Sequence, residues 1–150
     1  MIDKKDDDFL GRNIKGLMMT LIAEWNAAMD EARAETEFAA VRPADIRVFA
    51  QLRGRTVRLS DIHREMGFSR QAAQQAVDRL VEQGMLQVTL VSGSKRDKVV
   101  MITEKGQRWR TIAAMEIRKI EEHIASTLGE DGKETLRSAL LELLDNKGDL

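Results

Sequence analysis

The feature that most constrains this chain is a joint of three residues, Gly67-Phe68-Ser69, between two helical stretches. On the amino side a brief helix opens at Ser60, a residue type that caps helices, and carries Ile62 and Met66. Gly67 suits the left-handed stop that ends many helices. Ser69 is a second cap. The helix it opens is predicted to reach about Gln83, with Ala72, Ala73, Ala76, Val77, Leu80 and Val81 inward, and Gly84 stops it. Two helices joined this closely through a Gly-containing turn, the second beginning polar and basic, read as a helix-turn-helix. Immediately after it, Leu86, Val88 and Leu90 alternate with Gln87 and Thr89, Ser92-Gly93-Ser94 turns, and Val99 to Ile102 returns. The result is a β-hairpin with a basic tip, a wing.

The flanks are helical. From Phe9 to about Phe38, Leu10, Ile14, Leu17, Met18, Leu21, Ile22, Trp25, Met29 and Ala32 recur in steps of three and four, which predicts one long helix. Asp6–Asp8 stand just before it, where negative charge suits a helix N-terminus. Pro43 opens the next helix, with Ile46, Phe49, Ala50 and Leu52 on its buried side and Gly54 at its end. Thr56-Val57-Arg58 is a short β-prone stretch. Thr103 caps a second long helix to about Leu128, which Gly129 and Gly132 break, and a last helix spans about Lys133 to Asp145.

The expected fold is therefore mainly α with a small β-hairpin wing: a winged helix-turn-helix with long N- and C-terminal dimerisation helices. It is read as a single domain over 1–150, with a DNA-binding lobe at about 43–106 between dimerisation helices at about 9–40 and 107–150. Helices of this length hold more apolar stripe than one small domain covers, so a second copy is the expected partner. Leu10, Ile14, Leu17, Ile124, Leu136, Leu140, Leu143 and Leu144 are the interface candidates, and packing within the chain is the competing reading.

Composition excludes several alternatives. The chain has no Cys, which removes disulfides, thiolate catalysis and Cys-ligated zinc. It has two His, and His123 beside Glu121 and Glu122 does not form a ligand set, because adjacent helical residues do not face one way. No metal site, no cofactor and no enzymatic constellation is expected. The lack of a long apolar run predicts no membrane span, and the acidic start is unlike a signal peptide, so a cytoplasmic location is expected. The net charge of −1 hides a segregation. Between Arg53 and Arg110 there are twelve Lys/Arg against six Asp/Glu, a net +6, while the remainder carries −7. A basic middle of this kind is the local footprint of nucleic-acid binding.

Four segments carry a family resemblance: Leu59-Ser60-Asp61-Ile62, Gly67-Phe68-Ser69-Arg70-Gln71, Val77-Asp78-Arg79-Leu80-Val81-Glu82-Gln83-Gly84-Met85-Leu86 and Ile102-Thr103-Glu104-Lys105-Gly106. In these, and in the order of its elements over nearly the whole length, the chain resembles the MarR family of bacterial winged helix-turn-helix regulators. Two positions depart from the family pattern. Ser94 stands where an Asp usually pairs with the wing Arg, here Arg96, leaving Asp97 as the one neighbouring substitute. Arg42 stands before Pro43 where a Ser or Thr is usual.

The resemblance implies binding to double-stranded DNA by a homodimer, on a pseudo-palindromic operator with half-sites one helical turn apart. Ser69, Arg70, Gln71, Gln74 and Gln75 begin the recognition helix, where Arg and Gln suit the edges of guanine and adenine. Arg79 lies at its far end, with a salt bridge to Asp78 or Glu82 as the competing reading. Lys95, Arg96 and Lys98 form the wing tip, suited to the minor groove and to phosphates. Arg58 and Arg64 are weaker phosphate candidates, and His63 reads as exposed and without a role. The resemblance also implies a small-molecule effector between the dimer helices and the lobe. Met18, Trp25, Arg47 and Phe49 are the candidates, against a competing reading of plain core packing. The alternative to a regulator is a dimeric winged-helix module that binds protein and not specific DNA.

Overall fold

The computed structural model describes residues 1–148, the side chain of Met66 excepted. The chain divides into two compact units, Met1–Ile112 and Ala113–Leu150. In the first unit, α1 (Lys4–Leu10) and α2 (Ile14–Ala34) precede α3 (Pro43–Gln51), β1 (Val57–Arg58), a 3-10 turn (Leu59–Asp61), α4 (Ile62–Met66), α5 (Arg70–Glu82), β2 (Leu86–Leu90) and β3 (Lys98–Ile102). The last helix, α6 (Glu104–Asp145), enters the second unit at Ala113.

The single helix expected from Phe9 to Phe38 is two helices. Asn13 has extended backbone and its Oδ1 accepts the Gly16 N–H at 2.8 Å, so it caps α2 and ends the continuity of α1. The apolar steps run unbroken across this joint, which is why periodicity alone joins the two. The acids at 6–8 lie inside α1, whose cap is Asp3, with its carboxylate accepting the Lys5 N–H at 2.6 Å. Ser60 does not cap α4 either. It sits in the 3-10 turn, and α4 starts with no side-chain cap. The stop at Gly67 is as expected, with φ 67°. In the second unit Gly129 is non-helical at φ 80°, ψ 164°, whereas Gly132 continues the helix and breaks nothing.

The sheet has the order β1-β3-β2, all antiparallel, with Val57 opposite Val100 and Leu86 opposite Ile102. The core of the lobe is built from Phe38, Phe49, Leu52, Ile62, Val77, Leu80 and Val100, each no more than 2 % exposed. Ala50, Ala72 and Val81, expected to face inward, are exposed, because they lie at the edge of the face their helices bury. Phe38 and Trp109 pack as a tilted aromatic pair with centroids 5.5 Å apart, and the Arg108 guanidinium pairs with Glu37 at 2.8 Å beside them. That pairing holds the Glu37 carboxyl below the ordinary carboxylate range and raises the Arg108 guanidinium.

Two devices fix the recognition helix in this lobe. Thr103 Oγ1 donates to the Gly84 carbonyl and accepts the Gly106 N–H at 3.1 Å, which ties the exit of α5 to the start of α6. Gly106 itself allows a close approach. A Cβ there would stand 2.5 Å from the Met85 carbonyl oxygen and 2.7 Å from Ile102 Cγ2.

Candidate nucleic-acid interface

The recognition helix α5 begins at a working cap: Ser69 is extended, and its Oγ accepts the Ala72 N–H at 3.1 Å. Ala73, Ala76, Val77 and Leu80 are buried, so the opposite face, with Arg70, Gln71, Gln74 and Gln75, is left to solvent. Small inner residues let the helix lie close to α3 and α4 while its polar side protrudes. Gln74 Nε2 donates to Asp78 Oδ1 at 2.8 Å one turn on, which orients its amide along the helix.

Arg79 is not part of that exposed set. Its Nε and Nη2 donate in parallel to the two oxygens of Asp45 on α3, each at 2.8 Å, and Asp45 is only 2 % exposed. The hydrogen bond to Asp45 raises the Arg79 guanidinium above its ordinary value. Neither Asp78 nor Glu82 takes this fork. Arg79 therefore anchors the far end of α5 to α3, and it is withdrawn from the phosphate-contact candidates. Asp45 is the partner that sequence reading missed. It is 34 residues away, and only the fold brings the two together.

The wing is braced differently from the family pattern. Ser94 Oγ accepts the N–H groups of Arg96 at 3.2 Å and Asp97 at 3.0 Å, which shapes the hairpin turn from within. Asp97 does not pair with Arg96. Its carboxylate lies 3.5 Å from Arg58 on β1 and links the wing back to the sheet. Arg96 is left without a carboxylate partner among the described residues, as are Arg70, Lys95 and Lys98. By contrast, Arg55 pairs with Glu65 and Arg64 with Asp61. Arg55 and Arg64 are thus neutralised, and the cations on the start of α5 and on the wing tip are not.

A concave pocket of about 220 Å³ lies where these surfaces meet, lined by Arg58, Ser60, His63, Arg70, Ala73, Gln74, Arg96, Asp97 and Lys98 among others. His63 is half-buried in this lining, where the sequence suggests an exposed residue. A His at the second position of a short helix gives no signal of this. The wing, more than 30 residues later in the chain, supplies the other wall.

None of the four effector candidates lines that pocket. Phe49 is 2 % exposed and belongs to the core. Arg47 pairs with Asp30 at 3.0 Å, and the same Asp30 accepts Arg33, a buried arginine, at 2.6 Å. Trp25 is half-buried and Met18 is exposed on α2. Of the interface candidates, Leu10, Ile14, Leu17, Leu136, Leu143 and Leu144 are all at least 37 % exposed, while Ile124 and Leu140 are half-buried. Leu141, which was not among them, is 54 % exposed. Among the described residues no helix is long and apolar enough to cross a membrane.

Residues 41–97, the span from the start of α3 to the wing tip, match the profile of the MarR family. Solved structures carry the likeness over nearly the full chain. A MarR family transcriptional regulator from Silicibacter pomeroyi superposes with a TM-score of 0.72 at 18 % identity, covering 94 % of this chain and 93 % of its own. In residues 41–97 and in its fold the chain resembles the MarR family. The wild-type MarR of E. coli in its apo form gives a TM-score of 0.69 at 16 % identity, with 89 % and 97 % covered. A MarR protein from Peptoclostridium difficile gives 0.74 at 16 %, with 97 % and 92 % covered. At such identities these structures establish the winged-helix fold and leave the interface residues to be argued from this chain. No curated protein matches it. The fold is the winged helix of these MarR structures.

Proposed function

We propose that the chain is a sequence-specific transcriptional regulator that binds double-stranded DNA as a homodimer, acting as a repressor on a pseudo-palindromic operator and released by a small-molecule effector. The observation that carries the reading is the separation of cations in the lobe. Arg70, Lys95, Arg96 and Lys98 have no carboxylate partner among the described residues, and Arg70, Arg96 and Lys98 line one pocket beside the exposed polar face of α5, whose N-terminus Ser69 caps. Backbone phosphates supply the missing negative charge, and Gln71, Gln74 and Gln75 are left to read base edges. The exposed leucines of α1, α2 and the end of α6 support the homodimer, since scattered single apolar residues are ordinary but repeated helical stripes of them mark contact surfaces. Repression and effector release rest on the resemblance to the MarR family. In this reading an effector changes the spacing of the two recognition helices so that they no longer match one turn of DNA. Such a regulator works where its operator is, in the cytoplasm.

The test is a titration of the chain against DNA from upstream of its own gene and against a scrambled duplex of equal length, at two salt concentrations. The expected result is tighter, salt-sensitive binding to the native sequence, lost on Arg70→Ala and weakened by Arg96→Ala. Failure to bind either duplex at low salt would refute the reading in favour of a protein-interaction module.

A further inference from the structure

The pocket between α4, α5 and the wing has an unusual lining for a site that faces solvent. Arg58 enters from β1, Arg70 from α5, and Arg96 and Lys98 from the wing. One carboxylate, Asp97, shares the space, and it is turned to Arg58. The charged neighbours of His63 on its own element are spent elsewhere: Arg64 on Asp61, and Glu65 on Arg55. His63 therefore shares the lining with four cations and one anion, Asp97, which is paired with Arg58, so three of the cations have no carboxylate in the lining. A positive charge at this point has no unengaged carboxylate in the lining to balance it. A phosphate diester entering the pocket reverses that balance, since it brings the negative charge that the lining lacks and accepts a hydrogen bond from an imidazolium. Histidine is the side chain whose charge changes within the physiological range, so such a reversal is felt near neutral pH.

We propose that this pocket seats one backbone phosphate of the DNA, and that His63 binds it as the imidazolium, taking one proton from solvent per subunit as the complex forms. The proposal rests on the reading that the chain binds DNA and adds a residue and a proton to it. The sign follows from linkage: a complex that holds more protons than its free components tightens as pH falls. The chain's other histidine, His123, is exposed on α6 outside the lobe, so the two can be told apart by substitution.

A phosphate contact needs no operator, so the probe is a labelled random duplex of about 30 bp at about 50 mM salt, read by anisotropy. Between about pH 8 and about pH 6 the affinity of the native chain should rise, by up to about tenfold per pH unit for each proton taken up. His63→Gln should flatten that dependence, with unchanged thermal unfolding, and His123→Gln should retain it. His63→Arg, a permanent cation, should bind at the higher pH at least as tightly as the native chain binds at the lower. An affinity that does not change with pH, a dependence that survives in His63→Gln, or weak binding by a folded His63→Arg would each overturn the proposal. No binding by the native chain at either pH would refute the regulator reading itself, and a pH-independent but salt-sensitive affinity would refute only the role of His63.

Discussion

The four unpaired cations on the recognition helix and wing set the expected salt dependence of DNA binding. Each phosphate neutralised by a lysine or arginine contributes about −0.9 to the slope of log K against log salt concentration. If Arg70, Lys95, Arg96 and Lys98 each meet one phosphate, the slope is about −3.6 for one subunit and about −7 for a dimer on two half-sites. Arg55, Arg64 and Arg79 are excluded from this sum because carboxylates already hold them. The perturbation is Arg96→Gln combined with Lys98→Gln, which leaves the wing turn intact because Ser94 shapes it through backbone N–H groups. The dimer slope should fall by about 3.6, half its value, for every duplex sequence alike. Arg64→Gln should leave the slope unchanged. Anisotropy titrations across a few-fold range of salt measure both. A wing double variant with the native slope, or an Arg64→Gln variant that loses as much as the wing residues do, would refute the division of cations drawn from the ion pairs.

Three further outcomes are expected. Gly106→Ala should destabilise the fold by about 1–3 kcal/mol in denaturant unfolding, because the new Cβ meets the Met85 carbonyl oxygen at 2.5 Å and overpacking outweighs the helix propensity gained; a neutral or stabilised variant would contradict that contact. Asp45→Asn, which removes the anionic partner of the Arg79 fork, should weaken operator binding more than it lowers the salt slope, since it loosens the seat of α5 without removing a phosphate contact; a lowered slope with full affinity would argue against an anchoring role. The Glu37–Arg108 pair should make stability depend on acid. The folded carboxyl is depressed below its unfolded range, so the stability difference between the native chain and Glu37→Gln should be present at neutral pH and vanish as pH falls through the lowered Glu37 value. A difference that persists in strong acid would show that the contact is not ionic.

The elements that were legible in the sequence are those whose cause is local. Ser69, Thr103, Pro43, Gly67 and Gly84 each act within a turn of where they stand, and the structure uses each as its residue type suggests. Alternation gave the wing strands for the same reason. Where the reading failed, a local signal was masked or the cause was distant. The stripe from Leu10 through Leu17 keeps its helical step across a joint, and the Asn13 cap that breaks the helix is hidden inside it. Ser60 has the chemistry of a cap, but the chain around it forms a 3-10 turn, and its hydroxyl caps nothing. Arg79 looks like any basic residue near the end of a recognition helix until α3 delivers Asp45 beneath it. The usual wing Asp is absent, with Asp97 as its expected substitute beside Arg96. Instead Ser94 holds the turn and Asp97 reaches Arg58, a pairing between β1 and the hairpin that no spacing rule announces. His63 gains its surroundings in the same way, from α5 and wing residues that line the same pocket.

The central claim is that two copies of this lobe read one DNA site, and selection from a pool of random duplexes tests it most directly. The chain is used to enrich binders over several rounds, and the recovered sequences are aligned. The account predicts a pseudo-palindromic consensus whose half-sites are about 10 bp apart, centre to centre, as two recognition helices in successive major grooves require. Enrichment of nothing, or of a single unrepeated half-site bound by one copy, would contradict it.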